Sequence, residues 1–152
     1  MNSKEIYNIL SKNNVSKKYF LGCFSSDKIP TLNVYPHCMV VNTDPSHLQG
    51  EHWIAIFVVS QSSVEYYDSF GVWPAVENIQ RFLNNFPDIK YNSIPLQSDY
   101  SSACGRHVIY FLIMRCKLIE PFNQIIKSLK NCKTSPDRLV NVYVRSKFGD
   151  SL

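Results

Sequence analysis

The stretch Leu96–Phe111 reads LQSDYSSACGRHVIYF. A polar run of small residues ends at Cys104 and Gly105, and an apolar run starts at once. The pattern predicts a helix that opens near Ala103 and runs to Ile119. It is apolar nearly all round, so it belongs at the centre of the molecule. A cysteine in the first turn of such a helix has two readings. A free cysteine often packs as a small hydrophobe. A thiol at a helix N-terminus is also where the macrodipole favours the thiolate, the reactive form. Cys104 alone does not decide between them.

The flanking sequence supplies the rest of the architecture. Asn2 and Glu5 form a capping-box pattern ahead of Ile6, Ile9 and Leu10, which predicts a short amphipathic helix over 3–12. His37–Val41 (HCMVV) reads as a short strand. Trp53–Val59 (WIAIFVV) reads as a buried strand by length and β-branching. Val64–Asp68 (VEYYD) follows a Gln-Ser-Ser turn, so these two strands should form a hairpin. Pro74 opens a predicted helix through Leu83, with Val76, Ile79, Phe82 and Leu83 on one face. Lys90–Ile94 reads as a further strand. Pro121 opens a helix to about Lys130, and Ser135-Pro136 caps a last helix over 136–146, with Gly149 just beyond.

The totals bound what such a chain can do. Its 152 residues suit one domain with a real core. No run approaches the roughly 18 apolar residues of a membrane span, and the N-terminal MNSKEIYNILSKNN lacks an apolar signal core. The five cysteines, Cys23, Cys38, Cys104, Cys116 and Cys132, are scattered and contain no CxxC pair. That argues against a disulfide framework and against a zinc site, and it fits a reducing intracellular setting. The net charge is only +4, but between Arg115 and Lys147 eight basic residues stand against Glu120 and Asp137. A basic C-terminal third of this kind is either a solvated helix face or a surface for DNA.

Four positions carry chemistry together. His52 lies where the buried strand begins, Asp68 ends the next strand, Gln97 stands in the polar loop, and Cys104 opens the helix. Singly, each has a plainer reading: a surface histidine, a turn aspartate, a loop glutamine and a packed cysteine. Together they supply a nucleophilic thiol, an imidazole to move its proton, a carboxylate to orient the imidazole, and an amide donor for an oxyanion. A hairpin can hold His52 and Asp68 side by side at one end. His107 is three residues from Cys104, on the same helix. As the base it would leave no room for substrate between the two. Cys116, twelve residues further along, reads as packing.

The order His-Trp, Asp-x-Phe-Gly, then Gln followed by Ser-Ala-Cys-Gly resembles the adenovirus-type cysteine proteases, the adenain family. More widely it is similar to the clan that includes the SUMO and ubiquitin-like deconjugating proteases. YFLG at Tyr19–Gly22, Val-Asn-Thr at 41–43 and GEHW at Gly50–Trp53 extend the resemblance, which covers Tyr19 to about Leu112. It implies a compact α+β protease fold over 1–152, with the nucleophile on a central buried helix packed on a small mixed sheet. It makes Cys104 the nucleophile, His52 the base, Asp68 its partner and Gln97 an oxyanion donor, with Trp53 and Gly105 meeting the substrate. The acidic partner is often Glu in adenoviral members and Asp in the deconjugating ones, so Asp68 leans toward the latter. The implied substrates are viral or virus-derived precursor polypeptides, cut after small, glycine-rich sequences in a host nucleus or virion. The family is also activated by DNA and by a disulfide-linked peptide. Here no cysteine lies between Cys38 and Cys104 to take such a peptide, and only the basic C-terminal third is suited to DNA. No metal or cofactor is expected. Two rival readings remain: a deconjugase of ubiquitin-like modifiers, and a catalytically silent protein that uses the fold to bind DNA or a capsid partner.

Overall fold

The computed structural model describes residues 1–48, 50 and 52–149. Glu51 of the GEHW motif lies outside the described residues, as do Gln49 and residues 150–152. Helix α1 spans Ser3–Lys12. Both halves of its capping box are made, with Glu5 N–H donating to Asn2 Oδ1 at 3.0 Å and Asn2 N–H donating to Glu5 Oε2 at 2.8 Å. Strands β1 (Phe20–Ser25), β2 (His37–Asn42), β3 (Trp53–Val58) and β4 (Ser63–Tyr67) follow. Then come α2 (Glu77–Leu83), β5 (Asp88–Tyr91), α3 (Cys104–Cys116), α4 (Phe122–Lys130) and α5 (Pro136–Phe148).

The α+β class expected from the sequence is what the structure shows. The five strands form one mixed sheet in the order β1-β2-β3-β4-β5. The β2–β3 and β3–β4 pairs are antiparallel, and the two outer pairs are parallel. Successive strand residues face opposite sides of a sheet, and that alternation divides the core in two. Cys38, Val40, Ala55, Phe57 and Tyr67 face one layer, where they pack with Val108, Ile109, Phe111 and Leu112 of α3. Met39, Val41, Ile54, Ile56, Val58, Val64 and Tyr66 face the other, against Ile79, Phe82 and Leu83 of α2. This explains the unbroken apolar run of β3, which is covered on both faces. It also explains α3, which is enclosed by the sheet, α1, α4 and α5.

Several boundaries differ from those the sequence pattern suggests, each for a structural reason. Helix α2 starts at Glu77 rather than Pro74, because Val76 is still extended. Strand β5 runs Asp88–Tyr91 rather than Lys90–Ile94. Its start is pinned by Asp88 N–H donating to Ser62 O and Ser63 Oγ donating to Asp88 Oδ2, both at 3.0 Å. Helix α3 ends at Cys116 rather than Ile119. Leu118 takes a positive φ of 62°, and Leu118 and Ile119 are 50% and 84% exposed. Their apolar character read as buried helix, but no partner element covers them. Helix α5 continues to Phe148 and stops at Gly149, with φ +85°. Strand β1 lies in a region the sequence reading used only as a motif.

Candidate active site

The β3–β4 hairpin sets the first pair of side chains. Its register places Ala55 opposite Tyr67, so the residues just beyond the paired segment, His52 and Asp68, share the open end of the ladder. The backbone of His52 is held by β2, with Thr43 N–H donating to His52 O at 2.9 Å. His52 Nε2 and Asp68 Oδ1 are 2.8 Å apart. The carboxylate can only accept, so Nε2 carries the hydrogen and Nδ1 is left for the thiol. The imidazole is further covered by Phe70, ring centroids 4.8 Å apart.

Asp68 is itself fixed from three sides. Its Oδ1 also accepts from Phe70 N–H at 2.9 Å. Its own N–H donates to Asn92 Oδ1 at 2.9 Å, and Asn92 Nδ2 donates back to Asp68 O. The chain then turns through Gly71, whose N–H donates to Asp68 O at 2.8 Å. Gly71 has φ +69°, and a Cβ there would fall 2.2 Å from the Ile94 backbone, so only glycine fits this turn.

Cys104 is the first residue of α3. Ala103 at the N-cap offers no side-chain cap, so the first-turn N–H groups are left for other partners. Burial alone would raise the Cys104 pKa. Hydrogen bonding to His52, the N–H groups of Trp53 and Gly105, and the charge of His52 together bring it below its ordinary value. The reverse holds at His52. Burial would lower its pKa, but the hydrogen bonds and charges of Asp68 and Cys104 push it up to about 9. Both shifts favour a thiolate–imidazolium pair.

The polar loop brings Gln97 to the same end of the sheet. Leu96 and Gln97 N–H groups both donate to Ser69 O at 2.8 Å, and the Ser69 hydroxyl donates to Gln97 Oε1. Gln97 Nε2 donates to Ser101 O at 2.6 Å. A carbonyl can only accept, which fixes the amide's orientation. One N–H is used there, and the second remains to donate. Trp53 lines a cleft of about 500 Å³ together with Met1, Asn42 and Leu48. Its indole N–H donates to Met1 O at 3.2 Å. Gly105 is buried, and a Cβ on it would come 2.9 Å from the Met1 side chain. A second cleft of about 500 Å³ borders Asp68, Phe70 and Trp73.

The structure thus brings His52, Asp68 and Cys104 together, with Gln97 on the adjoining loop. The sequence reading missed Ser69 and Asn92, which orient Gln97 and Asp68. Nothing in their own residue types signals this, since both act through long-range hydrogen bonds. Cys116 packs in the core as expected, its sulfur 3.7 Å from that of Cys38. Arg115 does not belong to the basic surface. It pairs with Glu65 at 2.7 and 3.1 Å and lies over the Phe57 ring. Among the described residues, no cluster of three or more His, Cys, Asp or Glu side chains is placed to hold a metal ion. No described helix is long and apolar enough to cross a membrane.

The fold and this array define a class of architecture: an α+β sheet with a cysteine-bearing central helix and a histidine–aspartate pair on the neighbouring hairpin. The same fold occurs in the pS273R protease of ASFV, with a TM-score of 0.60 and 16% identity over 92% of this chain. This chain spans 65% of that protein's length. It is also similar to the central domain of the uncharacterized Lpg1148 protein from Legionella pneumophila (TM-score 0.56, 11% identity), covering 97% of this chain and 94% of that one. ChlaDub1 from Chlamydia trachomatis aligns more distantly, at TM-score 0.49 and 18% identity over 73% of this chain and 58% of that one. No protein-family model and no curated protein matches the sequence.

Proposed function

We propose that this protein is a cysteine peptidase of the adenain type that cuts polypeptides after small, glycine-rich sequences. The observation that carries the reading is the Cys104–His52–Asp68 array, with its pKa values moved toward a thiolate and an imidazolium. The Cys104 thiolate attacks the scissile carbonyl and forms a C–S bond. The resulting oxyanion is met by the Cys104 backbone N–H and the Gln97 amide. The C–N bond breaks as the His52 imidazolium gives its proton to the leaving amine. Water then enters. His52 takes one proton, hydroxide attacks the thioester, the C–S bond breaks with the thiolate leaving, and the product acid loses its remaining proton to solvent as it departs. Asp68 holds the ring with Nε2–H toward itself throughout.

Trp53 borders the cleft proposed to take the substrate's acyl side, and Gly105 supplies an N–H next to the sulfur. The proposed natural substrates are precursor proteins of a virus or virus-derived element. The family resemblance of the motifs and the shared fold with a viral protease support this.

Mapping by mass spectrometry after brief iodoacetamide treatment tests the reading. Cys104 should be labelled well before Cys116 and the other thiols, and Cys104→Ala should remove all turnover of a Gly-Gly fluorogenic peptide. Equal labelling of the thiols would falsify the assignment. A second reading, removal of a ubiquitin-like modifier, is favoured by Asp68 as the acidic partner. Cleavage of a ubiquitin-like conjugate in preference to the short peptide would select it.

A further inference from the structure

The proposed mechanism leaves a buried imidazole unused. His107 lies one turn into α3, and its side chain has no exposed surface. Its Nε2 is 2.8 Å from Asp137 Oδ1, and its Nδ1 is 2.9 Å from the Tyr67 hydroxyl. An ionised carboxylate can only accept, so Nε2 carries the hydrogen, Nδ1 accepts, and Tyr67 donates. Each member then has one defined role. The second oxygen of Asp137 accepts from Ser98 N–H at 3.1 Å.

Ser98 immediately follows Gln97, and the far end of the same short loop is tied back to it. Gln97 Nε2 donates to Ser101 O at 2.6 Å, and Ala103 N–H donates to Ser101 Oγ at 3.1 Å. Burial would raise the Asp137 pKa, and His107, Ser98 and Ser101 lower it, so the carboxylate stays charged. Asp137 sits in the first turn of α5, far in sequence from every residue of the array.

We infer that Asp137, held in place by His107, is a positioning residue for the oxyanion side of the site: it clamps the Ser98–Ser101 loop and so fixes where the Gln97 amide stands. This rests on the peptidase reading above. Asp137 touches neither the thiol nor the His52 ring. Its loss should therefore weaken oxyanion stabilisation without changing the nucleophile.

The test uses Asp137→Asn and Asp137→Ser, alone and combined with Gln97→Ala. The asparagine keeps an acceptor for His107 but turns an N–H toward Ser98, or the reverse. The serine is too short to reach both. Losing an oxyanion donor lowers kcat by about 10²–10³-fold, so misplacing it should cost about 10- to 100-fold. KM and the iodoacetamide rate of Cys104 should stay within about twofold. Each double variant should match Gln97→Ala alone, because two residues acting through one group are not additive. Amide exchange at Ser98 should accelerate in both single variants. Unchanged kcat, a parallel fall in Cys104 alkylation, multiplied losses in the double variants, or failure of both variants to fold would each overturn the inference. A parent protein with no peptide turnover sinks the peptidase reading only, since Ser98 exchange still reports whether the carboxylate holds the loop. Unchanged exchange there overturns the clamp.

Discussion

Among the described residues, two His–Asp pairs have the same bond, Nε2 to Oδ1 at 2.8 Å, and opposite acid–base behaviour. At His52 the pKa rises to about 9, whereas at His107 it falls below its ordinary value. Burial is the largest influence on both and lowers both. The difference lies in the company each pair keeps. His52 retains 16% side-chain exposure and gains a second negative partner in Cys104. His107 has no exposure, meets only one carboxylate, and feels the positive charge of His52. A hydrogen bond to aspartate does not by itself make a histidine a base. A second group that ionises does, as Cys104 does beside His52 and the buried Tyr67 hydroxyl beside His107 does not.

Substitution should separate the pairs most sharply. His52→Ala should lower kcat by about 10²–10⁴-fold, the worth of a general base, and abolish the preferential alkylation of Cys104. Its urea midpoint should fall as well, because the nearly buried Asp68 carboxylate loses its partner. His107→Ala should leave alkylation of Cys104 near the parent rate and lower kcat only through the loosening of Asp137. It takes the acceptor from the buried Tyr67 hydroxyl, at about 1–3 kcal/mol, and removes one partner of the part-exposed Asp137 carboxylate. Urea unfolding reads that loss, and an equal fall in Cys104 alkylation for the two variants would break the comparison.

The turn that aims Asp68 offers a further contrast. Gly71→Ala forces a Cβ into the Ile94 backbone at positive φ, which should cost about 1–3 kcal/mol from the backbone conformation alone. Activity should fall with it, since Asp68 moves, while Ser98 amide exchange on the other side stays near the parent value. Asn92→Ala removes both of its hydrogen bonds to the Asp68 backbone. It adds no steric clash and should cost about 1–3 kcal/mol in stability, with alkylation of Cys104 reduced more than alkylation of Cys23.

The pairs should also part company in pH. Activity requires Cys104 ionised and His52 protonated. The kcat/KM profile should therefore rise at a pH below the ordinary thiol value and fall near pH 9 as His52 loses its proton. The His107 pair reports in stability instead. Its folded pKa lies below the ordinary 6.5, so the unfolded chain binds the extra proton first. That contribution is whole above about pH 6.5 and is lost as pH falls below it. Denaturation at a series of pH values should show this acid limb, and His107→Gln should flatten it. An acid limb that survives the substitution unchanged would locate the effect elsewhere.

Much of the framework was legible in the residues. The capping box of Asn2 and Glu5, the apolar run of β3 and the abrupt change at Cys104 are local signals, and local physics decides them. The hairpin was legible too, and with it the nearness of His52 and Asp68. Boundaries were missed where a distant contact decides. Leu118 and Ile119 are apolar yet exposed because no element covers them, and β5 ends where Asn92 turns inward to clasp Asp68. Same-helix geometry argues against His107 as the base, and the structure commits both of its ring nitrogens to Asp137 and Tyr67, a partnership the sequence does not reveal. Asp137 is thirty residues away and arrives only when α5 docks against α3.

The sequence by itself determined which side chains are present, which elements carry them, and that the thiol opens a buried helix. Periodicity and capping act over a few residues, so the chain states them directly. Only the tertiary structure decided which histidine faces a thiol and which faces a hydroxyl, and hence the opposite signs of their pKa shifts. Those signs depend on burial and on charges a few ångströms away, which strand register and helix docking set and residue spacing does not.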